Sequence, residues 1–301
     1  MTSPAVPALI ALAAALSYAT GAVLQQRGAF RPGADVATGR ALSVPAMMAR
    51  PVWLAGLGMD AAGFVFEFLA LRGSSVTLVQ PLLVCGLLFA LPLGARLARC
   101  PVRRSDLAAG GLVVAGLVAF LIAAQPVQGA AVVPVARWVM VTSTVAVVAF
   151  ALVLAARGRR PAARALSLAA AAGLVNGVFA GLAKAVGTEL DRGWRTVVTS
   201  WQLVALAVAA AATLTLAAKA FQVGSPAAAV TGLFAVEPLA GIGVGAAVFG
   251  DTIRREPVFL LAEVLGMAVC LVGVSILGRS PGVVAAYGGH DDRGTVQLAP
   301  K

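Results

Sequence analysis

Nine stretches of about 20 mainly apolar residues follow one another along this 301-residue chain, at 6–26, 52–71, 75–95, 106–124, 133–156, 164–187, 201–220, 226–249 and 257–278. Each is long enough to cross roughly 30 Å of hydrocarbon as a helix. Inside a bilayer the backbone has to satisfy its own polar groups, which an isolated segment does only as a helix. With 60% of its residues apolar and 12% charged, the chain lacks the polar surface of a soluble domain. The expectation is therefore an all-α integral membrane protein, a single domain over residues 1–281, with a polar, disordered, cytoplasmic tail at 282–301.

The net charge of +11 does not point to nucleic acid, because the arginines are spread over short loops instead of forming one basic face. Arg27, Arg31, Arg40 and Arg50 follow span 1. Arg96, Arg99, Arg103 and Arg104 follow span 3, and Arg157, Arg159, Arg160 and Arg164 follow span 5. The positive-inside bias assigns these loops to the cytoplasm, which puts the N-terminus outside and the C-terminus inside a cytoplasmic (inner) membrane. Arg254 and Arg255 run against this parity, flanked by Asp251 and Glu256. No basic residue precedes the first apolar run, so it reads as a retained helix and not a signal peptide.

Cys85 and Cys270 fall within spans and Cys100 in a loop, which is no disulfide framework. The single His290 lies in the tail, so a histidine metal cluster is excluded. There is no Gly-Lys-Thr phosphate loop, HExxH, CxxC or serine elbow. The chain is not expected to be an enzyme or to carry a cofactor.

The spans are duplicated. Val79-Gln80-Pro81-Leu82 returns as Val236-Glu237-Pro238-Leu239, and each copy leads to a small-residue stop (Gly94; Gly250-Asp251) and an arginine pair. Spans 2 and 7 both begin at a tryptophan, Trp53 and Trp201, and end at Gly73-Ser74-Ser75 and Gly224-Ser225-Pro226. Spans 1–4 (about 6–126) thus match spans 6–9 (about 164–281), with span 5 (133–156) as connector. Matching helices are five positions apart, an odd number, so they cross the membrane in opposite directions. This is an inverted repeat, found in secondary transporters whose site lies at mid-membrane between the repeats, and also in channels.

The stretch Ala70-Leu71-Arg72-Gly73-Ser74-Ser75-Val76-Thr77-Leu78-Val79-Gln80-Pro81-Leu82 resembles the drug/metabolite transporter (DMT, EamA-like) superfamily. The likeness is greatest to the branch that includes the NIPA-type magnesium transporters. Gln26-Arg27-Gly28 and Lys184-Ala185-Val186-Gly187 resemble that branch's endings of spans 1 and 6. Val236-Glu237-Pro238-Leu239 with Gly250-Asp251 is similar to the second-repeat pattern of the wider superfamily. The likeness covers most of residues 6–281. It implies transport without fixing a substrate. Ala95 stands where the superfamily often has an acid, which puts that acid's role in doubt here.

A charge at the bilayer centre costs roughly 2.5–3.5 kcal/mol, so an intramembrane ionisable group needs a reason. Asp60, Asn176 and Glu237 fall near mid-depth of spans 2, 6 and 8. Glu67, Gln80, Lys184, Gln202 and Glu263 fall near the outer ends, where they suit a vestibule. Asp60 and Glu67 are two turns apart on one face of span 2. Each carboxyl fits either a protonatable or cation-binding site or a group held for packing, and Asp60, Glu67 and Glu237 are the metal ligands if the substrate is a divalent cation. Pro81 and Pro238 free the carbonyls near Thr77 and Phe234, which either coordinate a cation or mark a plain kink. Pro92 reads as a kink. Lys184 either neutralises Glu67, binds an anionic substrate group or snorkels, and Arg27 and Lys219 read as interfacial anchors. Gly173, Gly177 and Gly181 form a helix-packing stripe beside Asn176.

The expected function is a secondary transporter or facilitator of a small solute, working by alternating access. The alternatives are a Mg²⁺ or other divalent-cation transporter and a non-transporting scaffold for envelope or lipid assembly. The expected partners are the solute or cation and membrane lipids, with a homo-oligomer open.

Overall fold

A computed structural model describes residues 5–29, 49–130, 132–223, 226–252 and 256–287. Arg31, Arg40, Gly224, Ser225, Arg254, Arg255 and His290 lie outside the described residues. Among the described residues, nine helices are long and apolar enough to cross a membrane. Spans 1–5 are Ala5–Gly28, Pro51–Gly73, Val76–Ala98, Arg104–Ala124 and Val135–Ala155. Spans 6–9 are Pro161–Arg192, Trp201–Gln222, Pro226–Phe249 and Pro257–Leu277.

Span 6 runs 32 residues, past the apolar limit at 187, because polar helix formers end the hydrophobic pattern without ending the helix. Arg192 pairs with Glu189 one turn back at 2.9 Å, and Gly193, at φ 126°, stops the helix in a conformation few other residues adopt. Span 3 is two helices, Val76–Leu83 and Gly86–Ala98. Ser75 caps the first by accepting from the Leu78 N–H at 3.1 Å. The break lies after Pro81, at Val84 and Cys85, whose N–H groups bond the Pro81 and Leu82 carbonyls in tight turns of 3.2 and 3.1 Å. Span 8 keeps its α-helix through Pro238 to Val244, then widens into the π-turn Gly245–Phe249.

Small residues set the packing. Gly21, Gly28 and Gly63 seat span 1 antiparallel on span 2, where Asp60, Trp53 and Tyr18 occupy the space a Cβ would need. The stripe Gly173, Gly177 and Gly181 meets Glu237, Ala240 and Val244 in turn, so span 6 lies parallel to span 8 in close contact. Spans 4 and 9 run antiparallel, with Gly273 against Val113 and Gly266 against Phe120. Spans 3 and 8 cross antiparallel, with Gln80 on Gly241 and Thr77 on Gly245. Away from these seams the helices present apolar side chains outward, among them Val147, Phe150, Leu214 and Val258.

Residues 282–287, expected to belong to a disordered tail, are ordered, and 288–301 lie outside the described residues. Pro281–Tyr287 form a helix with Gly282, Val283 and Ala286 buried. Gly282 lies so close to span 3 that a Cβ on Gly94 would collide with its carbonyl. The Gln26 amide donates to the Tyr287 carbonyl at 3.3 Å, and the Tyr287 ring meets Phe234 edge-on at 5.2 Å. A short Pro-Gly-Val-Val-Ala-Ala-Tyr segment offers little hydropathy signal, and its order comes from this docking.

Candidate functional site

The shared face of Asp60 and Glu67 on span 2 turns toward span 1, which supplies a partner to each. Gln25 donates through its amide nitrogen to Asp60, and Gly21 leaves the space the Asp60 carboxylate fills. Two turns back along span 1, the Tyr18 hydroxyl donates to Glu67 Oε2 at 2.7 Å. Glu67 also accepts from Gln80 Nε2 at 3.0 Å on its other oxygen. It is 3% exposed and Gln80 is wholly enclosed. With Nε2 committed to Glu67, the Gln80 carbonyl oxygen Oε1 is buried without a partner. A buried acceptor in that state is costly and rare in a folded protein.

Glu237 approaches from span 8. It accepts from Asn176 Nδ2 at 2.7 Å, across the contact built by Gly173 and Gly177. Glu237 lies within electrostatic reach of Glu67, and Tyr18 lies within reach of Glu67, Glu237 and Asp60 together. Tyr287, at the far end of the cluster, also feels Glu237 and Asp60. The chain has two tyrosines, and both border the carboxylates. Spans 1, 2, 3, 6 and 8 and the C-terminal helix thus converge on one polar interior.

Lys184 belongs to a second network. It neither snorkels nor pairs with Glu67: at 2% exposure its ammonium donates to the Ser74 carbonyl at 2.6 Å. It also stands 5.2 Å from the centroid of the Phe249 ring, within electrostatic reach of Asp251. Asp251 is buried and accepts from the Thr77 hydroxyl at 3.2 Å, the Thr77 N–H at 3.4 Å and the Gly129 N–H at 2.9 Å. The same loop is tied to the end of span 8 by Val127 and Thr252, whose backbones exchange bonds of 3.0 and 3.1 Å, and by Ala130 N–H to the Phe249 carbonyl at 2.7 Å. This network closes the end of the bundle at which spans 2 and 3 meet.

Of the expected site residues, the structure brings Asp60, Glu67, Gln80, Asn176 and Glu237 together and sets Lys184 apart. Pro81 and Pro238 flank Gln80 and Glu237 inside their helices. The vestibule expected of Glu67, Gln80, Lys184, Gln202 and Glu263 is not assembled, and Glu263 lies away from Glu67 and Gln80. It lies on span 9, one turn before the Gly266 contact with span 4, with Oε1 buried and unpartnered. Gln202 is half-buried at the start of span 7. Among the described residues no three His, Cys, Asp or Glu side chains converge as a metal cage.

Sequence reasoning passed over Tyr18, Gln25, Asp251 and Tyr287. The rarity of tyrosine, two in the whole chain, is the available signal for two of them.

No family model matches the chain, and no solved structure matches it. Over 281 residues it is 26% identical to an uncharacterized protein of Corynebacterium glutamicum, an alignment that covers 93% of this chain and 97% of that protein. The likeness therefore extends through all nine spans.

Proposed function

We propose that the chain is a secondary transporter or facilitator of a small solute, built like the drug/metabolite transporter superfamily from two inverted repeats, spans 1–4 and 6–9. One observation carries this reading: Asp60 and Glu67 on span 2 and Glu237 on span 8 all lie within electrostatic reach of Tyr18 inside the membrane-spanning part. Three carboxyls there are expensive, and packing alone would be served as well by apolar residues. Their amide and phenol partners hold them in place without neutralising them, and the Gln80 oxygen remains unpaired. Together they form an acceptor-rich site suited to a cationic or proton-coupled substrate.

The packing supports the inversion. Spans 3 and 8 cross antiparallel, as do spans 4 and 9. Span 1 packs on spans 2 and 3 as span 6 packs on spans 7 and 8. The halves would rock about the carboxylate cluster, with the parallel glycine seam between spans 6 and 8 as the sliding surface.

A hydrated divalent cation is the second reading. The acceptor-only character of Glu67, Glu237 and Gln80 Oε1 favours it, since Mg²⁺ keeps several waters and takes one or two carboxylates. The scaffold reading expects the polar residues to face packed helix interfaces with no cavity joining them, and it would be favoured by uptake that does not depend on Glu67 and Glu237.

The test is a thermal-stabilisation panel of organic cations, neutral metabolites and MgCl₂ on the purified protein, followed by vesicle uptake of whatever stabilises it. A ligand at 100 times its Kd adds about 2.7 kcal/mol. Uptake that is lost in Glu67→Gln and Glu237→Gln fits the proposal. Uptake unchanged in both variants removes the cluster from the mechanism.

A further inference from the structure

At the end of the bundle that carries the basic loops, a cavity of about 620 Å³ opens between the ends of spans 5, 6 and 7. Four cations line it. Arg157 and Arg159 come from the turn joining spans 5 and 6, Arg164 from the first turn of span 6, and Lys219 from the last turn of span 7. No Asp or Glu lines the cavity, and among the described residues none of the four is in an ion pair. The remaining wall is largely apolar, with Leu168 and Val223 at its base.

Like charges around one concavity repel, and low-dielectric walls focus the resulting field. The arrangement is stable with a counter-anion seated in it. Span 6 begins at the cavity with Pro161, so the unsatisfied N–H groups and positive dipole end of a 32-residue helix face the same anion. The carbonyl ends of spans 5 and 7 attract basic residues too, but that effect accounts for about one cation per helix end and not for four around a single hollow.

The position selects the anion. The cavity lies where the apolar part of three spans stops, which is the level of lipid headgroups, and its floor is apolar while its rim is cationic. We infer that this cavity binds the phosphate of an anionic phospholipid, with the headgroup among Arg157, Arg159, Arg164 and Lys219 and the start of the acyl chains over Leu168 and Val223. Its volume is in the range of small-ligand pockets. The site is separate from the carboxylate cluster and does not depend on the transport reading.

The test uses the full chain in detergent micelles doped with dioleoyl phosphatidylglycerol or dioleoyl phosphatidylcholine, with retained lipid counted by native mass spectrometry. Wild-type protein should retain phosphatidylglycerol in preference to phosphatidylcholine. Arg159→Gln with Lys219→Gln should weaken that retention about five-fold per charge removed, and Arg157→Gln with Arg164→Gln should do the same. All four side chains are exposed, so the variants should fold, which an unchanged melting profile without lipid would verify. Arg96→Gln with Arg104→Gln removes two charges from the same end outside the cavity and should leave retention unchanged. If that control pair lowers retention equally, bulk charge attraction explains the binding and the proposal fails. It also fails if the cavity variants keep the wild-type preference, or if millimolar inorganic phosphate stabilises the wild type as strongly as the lipid does.

Discussion

Spans 3 and 8 carry four-residue motifs that differ at one position, Gln80 against Glu237, and put them to different uses. In span 3 the polar member, Gln80, is fully enclosed and bonded to Glu67, and the helix breaks three residues after its proline. In span 8 the polar member, Glu237, is half-buried, reaches across to Asn176, and the helix runs straight past its proline. The two helices also press on each other, Gln80 against Gly241 and Thr77 against Gly245. One copy supplies a donor that positions an acid, and the other supplies the acid. The two motifs are thus complementary parts at one crossing and not two copies of a site.

Five substitutions bear on that contrast. The largest effect is expected at Asp251, the acid that follows only the second copy. Asp251→Ala strips the shared acceptor from the Thr77 hydroxyl and the Thr77 and Gly129 N–H groups and removes the acid within electrostatic reach of Lys184, and should lower unfolding free energy in detergent by about 3–5 kcal/mol. Removing the cation as well, in Asp251→Ala with Lys184→Met, should recover part of the loss. Glu237→Gln makes the second copy read like the first. It removes a charged acceptor worth about 1.5–3 kcal/mol, so vesicle uptake should fall roughly 10- to 150-fold, and a smaller change would mean that the two copies are functionally alike. Gly241→Ala places a methyl 2.4 Å from Gln80 Cγ and should cost about 1–3 kcal/mol by overpacking the crossing. Gly243→Ala, two residues on with nothing within 4 Å, should stay within about 0.5 kcal/mol. Equal melting shifts in the two glycine variants would show that spans 3 and 8 do not pack as described.

The span pattern was legible because the hydrophobic requirement is local: each crossing needs its own run of apolar residues whatever its neighbours do. Depth within a span was legible for the same reason, which is how Asp60, Glu237 and Asn176 stood out. Partner choice was not. Lys184 lies at a plausible snorkelling depth, yet its ammonium turns inward to Ser74 because the break between spans 2 and 3 brings a free carbonyl there. Glu263, similar in depth to Glu67, belongs to the seam with span 4. The order of Pro281–Tyr287 arises from contacts with spans 1, 3 and 8 that lie some 50 to 260 positions away in sequence.

The sequence by itself determined that this chain is helical, that nine of its segments are fit to span a bilayer, and that a few polar groups must lie within them. Only the tertiary structure decided that Glu67 bonds Tyr18 within electrostatic reach of Glu237, that Gln80 is left with an open oxygen, and that four cations ring a hollow. The physical reason is that burial of apolar length is decided residue by residue along one helix. The pairing of a buried polar group depends on which other helix the glycine seams allow to come close.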